Sequence, residues 1–202
     1  MASTRTTLRT AGVALRLTVL STIVLGVGYP LAVWGVGQVA FPHQANGSMV
    51  QDSSGHVVGS SLVGQSFTTR KGATIDRWFR SRPSAAGDGY DANASSGSNL
   101  GPDNPDLVTA VRDRRAAIAK ADGVPVSSVP ADAVTASGSG LDPDISPASA
   151  LEQVDRVAHA RGLSTARVRQ LVEDHTAGRQ LGFLGDPTVD VLELNLALAD
   201  LR

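Results

Sequence analysis

The sequence predicts an α+β fold, with one N-terminal transmembrane helix followed by a single mixed extracytoplasmic domain. Three features point there. The first 51 residues hold no acidic side chain, yet Arg5, Arg9 and Arg16 gather ahead of a long apolar run. That run, Leu17 to Phe41, contains no charged residue. Residues 42–202 then alternate dense turn segments with short β-type runs and three helical patterns, enough chain for one domain that buries roughly 70% of its unfolded surface.

At a rise of about 1.5 Å per residue, 17–41 covers the roughly 30 Å hydrocarbon core with some tilt. Each central Leu, Ile or Val favours insertion by roughly 0.3 to 0.6 kcal/mol, whereas a buried Arg costs about 2.5 to 3.5. The charge-free register therefore decides the span, and the arginines before it keep residues 1–16 in the cytoplasm. A cleaved secretory signal would share the basic start but carry only about 7 to 15 apolar residues. Nor does a small-x-small cleavage site follow, since Gln38 stands two positions before Ala40. A retained anchor in the plasma (inner) membrane is expected, and either alternative exports the domain. Small side chains at Ser21, Gly28, Ala32 and Gly35 fall on one helical stripe, a candidate packing face for another membrane helix. Pro30 lacks a backbone donor and would clash with the carbonyl of Gly26, which predicts a kink between the two.

Residues 42–56, rich in Gly, Ser, Asn and Gln, read as a linker, leaving 57–202 as the domain. Val57 to Thr68 suits one or two short strands. Trp78 and Phe79 supply rare aromatic bulk for the core. Between Arg82 and Pro105 the chain is dense in residues that favour turns, and a loop this long inside a domain suggests function. Tyr90, Asp91, Ser95, Gly97, Asn99, Leu100, Gly101 and Pro102 are its candidate interface residues, with Tyr90 and Leu100 expected to pack it down. A first helix opens with Asn104 as N-cap, Pro105 and Asp106, and turns Leu107, Val111 and Ile118 inward. A second starts at Ser146-Pro147 and stops at Gly162. A third runs from Ser164 to about Thr176, with Gly178 as terminator and His175 as a partner for the helix dipole. The final stretch TVDVLELNLALADL alternates at its start, favouring a strand, and fits a helix at its end.

Several chemistries are excluded by composition and spacing. Residues 42–202 hold 15 of the 18 basic side chains and all 19 acidic ones, a formal charge near −4, which speaks against nucleic acid as partner. The chain has no cysteine, so disulfides, thiol catalysis and Cys-ligated metals are out. No glycine-rich loop leads into Lys-Ser or Lys-Thr, and Ala92 stands where the third glycine after Gly87 and Gly89 would complete a dinucleotide fingerprint. No GxSxG elbow surrounds Ser96, Ser98, Ser137 or Ser139. Asp142, Asp144 and Ser146 alternate like calcium ligands, but Pro147 and Gln153 occupy the positions of the required Gly and Glu, and an Asx-Pro turn accounts for LDPDISP. The four histidines lack zinc spacing. No catalytic residue and no metal ligand is expected.

The segments DANASSGSNLGPDNP (91–105) and TASGSGLDPDISP (135–147) resemble the C subunit of the Kdp-type potassium-transporting P-type ATPase. QVDRVAHARGL (153–163), HTAGRQLGFLGDP (175–187), VDVLELNLAL (189–198), RSRPSAAG (80–87) and the single span extend the likeness over essentially the whole chain. Small departures fall at Asp186, Asp190 and the Gly87-Asp88-Gly89 insertion. The resemblance implies a non-catalytic subunit of an ATP-driven potassium import complex. Its partners would be a potassium-translocating subunit, an ATP-hydrolysing P-type subunit and a small one-helix subunit. It also implies a catalytic chaperone that raises the hydrolysing subunit's ATP affinity, making ATP the one cofactor to consider. The positive-inside reading leaves only residues 1–16 beside cytoplasmic ATP, with no phosphate-binding pattern among them. Competing readings are an exported single-span hydrolase using Ser137 or Ser139 and a free-standing binding domain.

Overall fold

The structure is a computed structural model that describes residues 4–69 and 73–201. The side chain of Arg5, one of the arginines expected to orient the span, lies outside the described residues. The chain divides into two compact units, 1–48 and 49–202.

In the first unit, helix α1 (Thr4–Ser21), a π-helical stretch (Thr22–Gly28) and α2 (Tyr29–Ala40) form one continuous rod, followed by the single turn α3 (Pro42–Ala45). The stretch 6–40 is long and apolar enough to cross a membrane, and none of its hydrophobic window is buried. The disturbance expected between Gly26 and Pro30 takes the form of the π turn. Pro30 has no N–H to give the Gly26 carbonyl, and the Tyr29 N–H instead reaches back five residues to the Val24 carbonyl. At the other end of the stretch, Thr22 Oγ1 donates to the Thr18 carbonyl at 2.8 Å, a bond that loosens the ordinary ladder. A π turn holds more residues than an α turn. The interval from Ser21 to Gly28 therefore departs from the α-helical period on which the expected stripe rests.

The second unit mixes short strands with helices. Met49–Gln51 (β1) lies inside the stretch expected to be an irregular linker and pairs antiparallel with Val57–Ser60 (β2). Asp52 closes the turn by accepting from the Ser54 and His56 N–H groups, both at 2.9 Å. After the long loop come α4 (Pro105–Asp122), a 3-10 turn (Val126–Ser128), α5 (Ala131–Val134) and β3 (Asp144–Ile145). They lead into α6 (Pro147–Glu152), α7 (Val154–Arg161), α8 (Thr165–Asp174), β4 (Thr176–Ala177), β5 (Thr188–Asp190) and α9 (Val191–Asp200). Strand β5 lies between β3 and β4, antiparallel to both, so the C-terminal stretch is strand then helix as its pattern predicts.

Local caps behave as expected. Asn104 accepts from the Asp106 N–H, Ser146 from Ser149 and Ser164 from Arg167, while Gly162 closes α7 in the left-handed conformation; Gly123, not expected from the sequence, closes α4 in the same way. Two boundaries differ. The helix expected from Ser146 to Gly162 breaks at Gln153, whose side chain reaches out of the helix to accept from the Arg80 N–H at 2.7 Å. Helix α8 ends at Asp174, ahead of Gly178. Its last carbonyls are taken by His175 Nδ1 (2.8 Å to the Leu171 carbonyl) and Thr176 Oγ1 (2.7 Å to that of Val172), which frees the backbone to start β4.

The main core gathers Phe79, Ile145, Val154, Val157, Val168, Val172, Val189, Leu194 and Leu198. Phe79 is wholly buried, whereas Trp78 sits at the margin with Arg161 and Arg77 over its ring, at 4.6 and 5.4 Å from the centroid. A smaller cluster of Ala119, Val129 and Val134 seats α4.

Candidate functional site

The two turn-rich segments that stand out in the sequence meet in space. Residues 91–104 form neither helix nor strand, yet their middle is fastened to the 137–141 turn. The Ser96 N–H donates to the Ser139 carbonyl at 2.9 Å, and Ser95 Oγ donates to the same oxygen at 3.0 Å. The approach requires glycine. A Cβ on Gly97 would come within 3.0 Å of the Gly138 carbonyl oxygen. A Cβ on Gly140, which has φ +68°, would lie 2.6 Å from the Ser96 carbonyl oxygen and 2.7 Å from the Ala86 nitrogen.

Behind this seam, Ser84 Oγ donates to the Gly140 carbonyl at 2.6 Å and accepts from the Tyr90 N–H at 2.8 Å. Tyr90 holds a left-handed backbone (φ +57°), unusual for a bulky residue, and its hydroxyl donates to the Arg82 carbonyl at 2.8 Å. Burial pushes the Tyr90 phenol up to about 12, so the hydroxyl stays a donor. Arg82 pairs with Asp142 at 2.8 Å, and the other oxygen of Asp142 accepts from the Asp144 N–H at 3.1 Å. That is the Asx turn expected for LDPDISP, with the Asp142 carboxylate committed to it and to Arg82.

Of the expected interface residues, Asp91, Ser95, Asn99, Leu100, Gly101 and Pro102 are exposed. Tyr90 and Gly97 lie half-buried and position the others. Leu100, expected to pack the loop down, is 38% exposed and lies on the outer side.

A second polar assembly escapes sequence reasoning. Asp122, buried at the end of α4, accepts from Arg80 and, at 2.6 Å, from Arg156 Nε. Arg156 also donates to the carbonyls of Asp76 (2.6 Å) and Trp78 (3.0 Å) and to Gln153 Oε1 (2.8 Å). Asn195 grips the backbone of Phe79 from both sides, accepting from its N–H at 2.8 Å and donating to its carbonyl at 2.9 Å. Together these side chains replace a sheet as the support of segment 75–80. Burial lowers the Arg156 pKa, and burial with the nearby Asp122 charge lifts Glu152 to about 7. Arg156 lies beside the apolar face of α7, where the pattern gives no sign that a guanidinium turns inward.

Chemistry is sparse. Ser137 and Ser139 face each other with hydroxyls 3.5 Å apart, and Ser139 Oγ accepts from the Leu141 N–H. Among the described residues neither hydroxyl bonds to a His, Lys or carboxylate, and no group of three His, Asp or Glu side chains is placed to hold a metal ion. The arrangement is one of shape: a surface loop clamped at its middle.

Residues 11–200 match the family model described as KdpC: K+-transporting ATPase, c chain. A Kineococcus radiotolerans protein named potassium-transporting ATPase KdpC subunit is 56% identical over 191 residues, 95% of this chain and 93% of that one. The protein of the same name from Mycobacterium tuberculosis is 53% identical over 186 residues, 92% of this chain and 95% of its own. That from Caulobacter vibrioides is 53% identical over 180 residues, 89% and 87% of the two chains.

Proposed function

The chain belongs to the KdpC family, and from that premise we propose that it is a non-catalytic subunit that assembles an ATP-driven potassium import complex by docking its extracytoplasmic domain onto the potassium-translocating subunit. The docking element is the loop 91–104. What supports this is one observation: the loop is fixed at its middle by Ser95, Ser96 and Gly140 while Asp91, Asn99, Leu100, Gly101 and Pro102 face solvent. A pre-ordered loop binds with little further loss of chain entropy, as a contact surface should. The ATP-hydrolysing subunit and the small one-helix subunit complete the complex. Any rise in the hydrolysing subunit's ATP affinity then passes through the membrane helix, along the face of Gly28, Ala32 and Gly35, without nucleotide contact.

Replacing residues 91–104 by a short Gly-Ser linker tests the reading. On a sizing column in detergent, the translocating and hydrolysing subunits should no longer elute with this chain. Co-elution at full stoichiometry would discard the docking role.

A further inference from the structure

Beside the clamped loop lies a cavity of about 450 Å³, large enough for a small organic ligand. Three arginines line it, Arg80, Arg82 and Arg114, against one carboxylate among the described lining residues, that of Asp88. Arg80 and Arg82 have their charges met by Asp122 and Asp142. Arg114 does not. It donates one N–H to the Val134 carbonyl at 3.2 Å and has no carboxylate within ion-pair distance among the described residues. Arg82 also carries a buried Nε with no hydrogen-bond partner among the described residues. A half-buried, uncompensated guanidinium is costly unless an anion meets it, and its planar fork suits a tetrahedral oxyanion. The aliphatic side of Ile118 completes the wall opposite the arginines, so the ligand presents oxygens on one side and carbon on the other.

We propose that this cavity binds a phosphate group through Arg114, with Arg82 assisting and Asp88 weakening the hold. The phosphate is carried by a small free ester or by a lipid headgroup. The site is separate from the docking role of the loop and stands or falls independently of it.

The test uses the full chain in nanodiscs of phosphatidylcholine, titrated with inorganic phosphate and with glycerol phosphate and followed by thermal unfolding. A parallel series uses nanodiscs containing phosphatidylglycerol. Saturable stabilisation should weaken by about tenfold or more in Arg114→Gln, the loss of a charge-assisted pair. It should strengthen by about two- to fivefold in Asp88→Asn, which removes a like charge from an exposed turn and leaves the fold untouched. A response to the soluble phosphates identifies a free ester. A response confined to phosphatidylglycerol, with the same dependence on Arg114 and Asp88, identifies a headgroup. Stabilisation by neither source, or equal stabilisation of wild type and Asp88→Asn, overturns the site even if Arg114→Gln fails to fold.

Discussion

At the scale of single residues, the buried polar assembly around Asp122 contributes a pH-dependent element to the domain's stability through Glu152. Glu152 lies beside it with one carboxylate oxygen, Oε2, buried and without a hydrogen-bond partner among the described residues. Burial and the charge of Asp122 raise its pKa from 4.5 to about 7, so the folded chain holds this proton to higher pH than the unfolded chain does. Wherever the native state binds more protons, stability falls as pH rises. Glu152 therefore costs nothing below about pH 4.5, becomes destabilising through the interval up to about 7, and stays so above it. Glu152→Gln keeps the neutral shape at every pH. Thermal unfolding of the full chain in detergent should show the variant more stable than wild type by about 1 kcal/mol near pH 8, a figure reduced for solvent screening of a partly exposed group, and indistinguishable from it near pH 4. An equal offset at both pH values would mean that packing, not ionisation, carries the effect. Asn195 serves the same assembly without titrating: with no strand beside Phe79 among the described residues, its amide supplies both of the backbone partners a sheet would have provided.

At the scale of elements, the decisive contact is loop against turn, and it hinges on the absence of a side chain at Gly140. Gly140→Ala would place a Cβ against the Ser96 carbonyl and the Ala86 nitrogen while demanding a left-handed alanine. Strain of about 1 kcal/mol from the backbone and about 1 to 3 from overpacking should lower stability by about 2 to 4 kcal/mol. The 91–104 loop should also become open to proteolysis in the full chain, and a wild-type digestion rate would refute the clamp. This element shows what a sequence can and cannot disclose. The caps at Asn104, Ser146, Ser164 and Gly162 were legible because the groups they satisfy lie within four residues. The break at Gln153 and the early end of α8 were not, because the first answers to Arg80, 73 residues away, and the second to side chains completing the last turn. Arg156 with Asp122 and Asn195 with Phe79 are joined across 34 and 116 residues, a distance no local pattern spans. The loop was found by its composition, but the turn that holds it was found only as a second turn-rich segment.

For the whole molecule, everything assigned to the outer domain depends on which way the single helix is threaded. Arg9 and Arg16 lie on one side of the apolar stretch, and the first acidic residue, Asp52, comes only after it. Cytoplasmic retention of such flanking positive charge sets orientation, while acidic residues contribute little. After the apolar stretch no Lys or Arg occurs before Arg70, and a long segment translocates largely regardless of its charge. Intact cells producing the chain with a C-terminal epitope tag should therefore lose the tag to external protease after permeabilisation of the outer envelope alone. The N-terminus should stay protected until the plasma membrane itself is opened. The result bears on mechanism as well as address. With the domain outside, ATP is out of its reach, and the subunit acts on the hydrolysing partner through the helix and through docking. If the tag resists protease until the plasma membrane is breached, the domain shares a compartment with the nucleotide. The arginine-lined cavity would then face cytoplasmic phosphates, and direct assistance to ATP binding would replace docking as the account of this chain.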